Sequence, residues 1–303
     1  MPLLAARVLS GLSAGIFTGT ATAALLDLAP GGDRGRATLV ATMVNLGGLA
    51  TGPLLAGVLA EYAGAPLRLP FWVYLGLLLP AAVLTWALPE TAGSSALSQM
   101  RPQRVRVPSE VRPIFLRSAL AAFAGFAVLG LFTAVAPAFL ARILGIQNHA
   151  TVGLVVFVVF ASSIVGQTIF LRVLGRAALT GGCLALIAGM GLVALGLAAS
   201  SLALMLAGGI VAALGQGAAF RAGLTAVNEA SLPEHRAEVA SGFFIVAYVA
   251  ISLPIVGEGV LAQVVGLRPA GLIFAAVVAA LALAVLILLS LQNQREESPV
   301  ISG

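Results

Sequence analysis

Lysine is absent from this chain, and cysteine occurs once: all 16 basic residues are arginine, and Cys183 stands alone inside an apolar run. Without lysine there is no glycine-rich phosphate loop closed by Lys, which argues against a pump with its own nucleotide site. One cysteine cannot form a disulfide within the chain or seed a cysteine metal cluster, and no His/Cys/Asp constellation suggests metal or enzyme chemistry. The two histidines, His149 and His235, fall between apolar runs, so neither is placed for an intramembrane proton relay. Charge is scarce as well. Only 9% of the residues are charged, against about 25% in a soluble domain, so the chain cannot cover a surface that faces water. The net charge of +5 can suggest nucleic acid, but aromatics that would stack bases are few in the arginine-rich segment.

Apolar residues are what the chain has: 60% of 303 residues, with a mean hydropathy of +1.09. They come in long runs, and a bilayer-spanning helix needs about 20 apolar residues. A β-barrel would show alternating segments of about ten residues, and none is present. The runs predict nine transmembrane helices at 5–27, 37–60, 70–88, 118–141, 151–172, 179–199, 202–227, 239–263 and 269–291. Connections are short except for a polar stretch at 89–117 that holds Arg101, Arg104, Arg106, Arg112 and Arg117. The predicted organisation is a three-span bundle (1–92), an arginine-rich linker (93–117), a six-helix bundle (118–292) and a tail (293–303). The linker arginines read as topology determinants and anionic-lipid contacts.

Cytoplasmic connections carry the excess of basic residues. One set of connections holds Arg34, Arg36, the five linker arginines, Arg172, Arg176, Arg236 and Arg295; the other holds Arg68, Arg142 and Arg268. The first set is therefore expected to be cytoplasmic, with the N-terminus outside and the C-terminus inside. The first run is apolar and small-residue-rich near Ala21–Ala24, but it lacks the basic start of a signal peptide. A weak repeat also shows: Arg34 and Arg236, Pro53 and Pro254, and Gly64 and Gly266 are each separated by 201 or 202 residues. It pairs spans one to three with spans seven to nine. The simplest account is a six-plus-six protein that here lacks its first three helices.

Three patterns then point to a family. Leu3-x-x-x-Arg7-x-x-Ser10-Gly11 resembles the fourth-helix motif of the major facilitator superfamily, with Ser10 replacing a Gln. Pro30-x-x-x-Arg34-Gly35 resembles the loop that follows. Gly48-x-x-x-Gly52-Pro53-x-x-Ala56-Gly57 is similar to the fifth-helix signature of the proton-coupled antiporter branch, with Ala56 in place of a Gly. Leu88-Pro89-Glu90-Thr91 looks like the usual end of the sixth helix. The resemblance implies an all-α integral membrane protein with an incomplete two-bundle architecture, equivalent to helices four to twelve. The second-half echo near Gly166, Arg172, Gly175 and Arg176 lacks the acid of the family's loop motif.

Several residues are candidates for function. Gly48, Gly52, Pro53 and Gly57 recur at a spacing of about four and so are expected to share one face, as a tightly packed, proline-bent gate or as plain close packing. Arg7 and Arg221 lie inside or at the edge of spans. A charge at mid-membrane costs at least ~2.5 kcal/mol, so each is expected to face a cavity or a partner, or to snorkel to an interface. Glu258 follows Pro254 by four residues on one face; a carboxylate in a low-dielectric site can carry a proton, or it can reach the headgroups. Asn45, Gln167 and Gln216 are mid-span amides that line a path or bind neighbouring helices. Glu61 and Asp27 sit at span ends and are expected to be solvated.

The expected function is a secondary transporter in the cell membrane. It would move a small organic or drug-like molecule by alternating access, coupled to protons, with no cofactor. The alternative is a truncated, non-transporting fragment of such a transporter.

Overall fold

The computed structural model of the chain describes residues 2–29, 31, 33–89, 107–233 and 235–297. The apolar runs become helices whose ends follow local chemistry. The first, α1, spans Pro2–Asp27. Asp33 accepts a hydrogen bond from the Arg36 amide at 2.9 Å and so starts α2, Arg34–Tyr62. Pro70 sits in the first turn of α3, Leu69–Trp86, where its missing N–H costs nothing. Pro113 does the same for α4, Arg112–Ala134. A break at Val135 separates α4 from the short α5, Ala136–Arg142. Asn148 caps α6, His149–Val165, through the Thr151 amide at 2.8 Å.

A π-helical turn, Gly166–Phe170, then leads into α7, Leu171–Leu174. Gly175 reverses the chain with φ 53°, a conformation that favours glycine, and α8 follows at Ala178–Ala199. Ser201 caps α9, Leu202–Ala230, and two long helices complete the chain: α10, Arg236–Val265, and α11, Leu267–Glu297.

Among the described residues, eight helical stretches are long and apolar enough to cross a membrane. The longest, His149–Ala199, has 51 residues and is folded back at Gly175. Both of its limbs lie against α9: Gly166 meets Leu214, and Gly182 meets Gly215. It therefore supplies two of the nine expected passes. The protein is an all-helical membrane bundle.

Beyond the break at Val135 inside the expected span 118–141 and the π turn inside 151–172, two boundaries move by six residues. Helix α4 begins at Arg112, so Arg112 and Arg117 lie in its first turns rather than in a linker, with Val111 buried beneath them. Helix α11 runs on to Glu297 instead of ending near 291. Arg101, Arg104 and Arg106, together with Pro30, Glu90 and Thr91, lie outside the described residues.

The core sits among α4, α6, α8, α9, α10 and α11. Helices α8 and α9 touch backbone to backbone along Gly182, Gly189 and Gly196 on one side and Gly208, Gly215 and Met205 on the other. In lipid there is no hydrophobic force between helices, so this close approach supplies the attraction. Phe126, Phe243 and Phe244 surround Phe220, with ring centroids 4.9, 5.5 and 5.9 Å from it. Helix α2 packs on α6, while α1 and α3 pack on α2. Among the described residues, α3 buries none, and neither does Val8–Leu25 of α1.

Candidate substrate and proton path

Glu258 lies two turns from the end of α10 and is only 3% exposed. Both of its carboxylate oxygens are buried and, among the described residues, make no hydrogen bond. They border a cavity of ≈ 20 Å³ lined by Phe132, Phe139, Leu197, Met205 and Gly271 among other apolar residues. That size admits about one water-sized group. Gly271 keeps the space open, because a Cβ there would stand 2.8 Å from Leu197 Cδ1 and 3.9 Å from Glu258 Oε1. The carboxylate is thus enclosed by protein rather than exposed on the outside of the bundle. The lining comes from α4, α5, α8, α9, α10 and α11, so the cavity belongs to the six-helix bundle and not to the seam between α2 and α6.

Arg221 is half-buried in α9, with one terminal nitrogen buried and without a partner among the described residues. Met205, on the same helix, lines the Glu258 cavity. Arg221 follows it by sixteen positions, which is about 24 Å at 1.5 Å per residue. The acid and the arginine therefore occupy opposite halves of the bundle and do not neutralise each other.

The amides form a second buried polar site where α4, α6 and α9 meet. Gln216 is fully buried, and its Oε1 accepts a hydrogen bond from the Ser163 hydroxyl. Its amide nitrogen, and both polar atoms of the 2%-exposed Gln167, have no partner among the described residues. Gln167 lies in the π-helical turn, where backbone spacing widens. Glycines allow the crowding: a Cβ at Gly125 would stand 2.5 Å from Gln216 Cγ, and one at Gly217 would strike the Ser163 carbonyl.

The glycine motif of α2 divides. Gly57 faces α6, where a Cβ would strike the His149 carbonyl, and Gly153 of α6 faces the Pro53 carbonyl. Gly48 and Gly52 meet nothing within 4 Å and are exposed. The four residues do not share a face. At about 100° per residue, Pro53 and Gly57 align with each other but are rotated away from the Gly48–Gly52 row. Asn45 is on the exposed side as well. Gly35 is exposed in the first turn of α2 beside the Asp33 cap. Arg7 lies in α1 and Arg34 opens α2; their side chains are outside the described set.

Ser163 was not singled out in the sequence, and the partner of Glu61 was not foreseen. Ser163 joins the amide site. Glu61, expected to be solvated, accepts from the His149 amide at 2.8 Å and contacts its Nδ1 at 3.0 Å. An acid closing one span and a His opening another were visible signals, but 88 positions separate them. Among the described residues no group of three or more metal-binding side chains is assembled.

A family model described as Major Facilitator Superfamily matches residues 1–199, which is most of the chain. The chain belongs to the major facilitator superfamily. Its matched part runs from α1 through α8 and so contains the α2–α6 seam, Ser163 and Gln167; Gln216, Arg221 and Glu258 lie beyond it. No curated protein matches the chain. Family membership and the apolar helices together make this a multi-pass membrane transporter.

Proposed function

We propose that this major facilitator protein is a proton-coupled secondary transporter of a small amphipathic organic molecule, working by alternating access. The observation that carries the proposal is Glu258, an acid enclosed by apolar side chains with neither oxygen hydrogen-bonded among the described residues. An isolated charge in such a place is costly, so the site suits a group that gains and loses a proton. The largely uncharged interior and the neutral amides of Gln167 and Gln216 favour an amphipathic substrate over a sugar or a polyanion. The likeness of Gly48–Gly57 to the antiporter signature favours exchange of substrate against protons.

By the arginine bias, the end bearing Arg34, Arg176 and Arg236 faces the cytoplasm of a cell membrane. The N-terminus is then outside and the C-terminus inside. Glu258 lies in the outer half and Arg221 in the inner half. Because they do not touch, coupling runs through movement of the helices that carry them rather than through an ion pair.

The test is flux in liposomes under an inward-acid gradient, with lipophilic cations and dyes as probes. Glu258→Gln is expected to abolish gradient-driven flux while the protein still inserts. Unchanged proton coupling in that variant removes Glu258 from the mechanism.

A further inference from the structure

Helix α2 is the element through which α1–α3 hold the six-helix bundle, and α6 is the surface it holds. The two run antiparallel, since Gly57 lies beside His149 and Pro53 beside Gly153. Further along α2, Leu46 and Ala50 are buried apolar residues. At the Glu61 end the contact is polar. Helix α6 begins at His149, and the first amides of a helix have no partner within it. Asn148 takes the Thr151 amide, and the carboxylate of Glu61 on α2 takes the His149 amide.

The same Glu61 oxygen lies 3.0 Å from His149 Nδ1. A carboxylate only accepts, so the ring hydrogen sits on Nδ1 in this contact. Asn148 Nδ2 also donates to the Tyr62 hydroxyl at 3.5 Å. One helix thus supplies an acid to the positive N-terminal end of the other.

Exposure decides whether such a contact is permanent. The Glu61 side chain is 27% exposed and that of His149 is 68% exposed. Water competes at both, so the contact is strong enough to hold the ends together yet weak enough to part without stranding a buried charge.

We propose that Glu61 and His149 form a releasable clasp between α2 and α6, and that this end of the transport path opens when the Glu61 carboxylate leaves the α6 N-terminus. The proposal rests on the alternating-access reading above. Glu61 acts as a positioning residue that touches no substrate. Its direct bond to a backbone amide gives an order of effects that a simple His–Glu ion pair lacks. Removing the carboxylate breaks both contacts, whereas removing the imidazole leaves the amide bond intact.

The experiment uses the full chain in liposomes with Cys183→Ala and spin labels on cysteines at Gly64 and Gln147, exposed residues flanking the contact. The distance distribution between the labels is then measured. The parent chain is expected to populate mainly a short distance. Glu61→Ala is expected to raise the long-to-short ratio roughly two- to fivefold, as loss of a water-exposed charged contact would. Glu61→Gln and His149→Ala are each expected to raise it less, because each keeps one contact to the amide. If the parent and Glu61→Ala show two distances in the same ratio, the clasp is wrong while alternating access stands. If both show a single distance under every gradient, this end does not open, and both readings fall.

Discussion

Adding one methyl group at Gly189 tests whether α8 and α9 truly meet at their backbones. A Cβ there would stand 2.5 Å from the Ala212 nitrogen, 2.7 Å from the Ala212 Cβ and 2.7 Å from the Gly208 carbonyl oxygen. None of these atoms can rotate away, so the helices must part by about 1 Å, a gap that forfeits up to half of each dispersion contact. Overpacking of this kind costs about 1–3 kcal/mol. Alanine recovers about 0.5–1 kcal/mol through helix propensity, which leaves Gly189→Ala destabilised by roughly 0.5–2 kcal/mol. Gly191, two residues on and so on the opposite face of the same helix, meets nothing within 4 Å. Gly191→Ala should therefore be neutral or stabilising by up to about 1 kcal/mol. The chain carries its own reporter, because its single thiol, Cys183, is fully buried on the same helix. Heating the detergent-solubilised protein with a maleimide dye reads the temperature at which that thiol becomes reactive. The Gly189→Ala midpoint should fall by a few degrees and the Gly191→Ala midpoint should not. A Gly189→Ala protein as stable as the parent would falsify the backbone contact.

Other outcomes follow from the same geometry. Gly57→Ala should weaken the hold of α2 on α6, whereas Gly48→Ala and Gly52→Ala should not, measured as disulfide formation between cysteines placed across the seam. Asn148→Ala should cost about 0.5–2 kcal/mol by uncapping α6, seen as faster amide exchange in its first turn. Glu110 accepts from its own backbone amide and from the Ser109 hydroxyl at 2.7 Å, with Arg112 nearby, and these hold its carboxyl below the usual carboxylate range. Because the folded value is depressed, the contribution is present above the ordinary glutamate value and is lost as pH falls through the depressed one. A carboxyl-carbon titration should show Glu110 protonating at lower pH than a free glutamate.

Much of this was legible beforehand. The length of each apolar run fixed the passes from α1 to α11, because a span needs its own uninterrupted stretch whatever surrounds it. Asp33, Asn148 and Ser201 cap helix starts in the structure, a local signal that the apolar runs do not carry. Gly175 and Gly266 stand at positive φ where the chain turns, which the structure adds to the repeat and motif patterns they belonged to. The family was readable too, because its motifs are local.

What only the tertiary structure decided is which face of each helix meets which neighbour. In a soluble helix an apolar stripe announces the buried side. In a membrane, lipid and protein interior are equally apolar, so the stripe disappears. Nothing local separates Gly57, locked against His149, from Gly52, which touches nothing. For the same reason the pairing of Glu61 with His149, of Gln216 with Ser163 across 53 positions, and the separation of Glu258 from Arg221 could not be read along the chain. Each depends on the rotation and crossing of whole helices, which is set by the sum of contacts between distant segments.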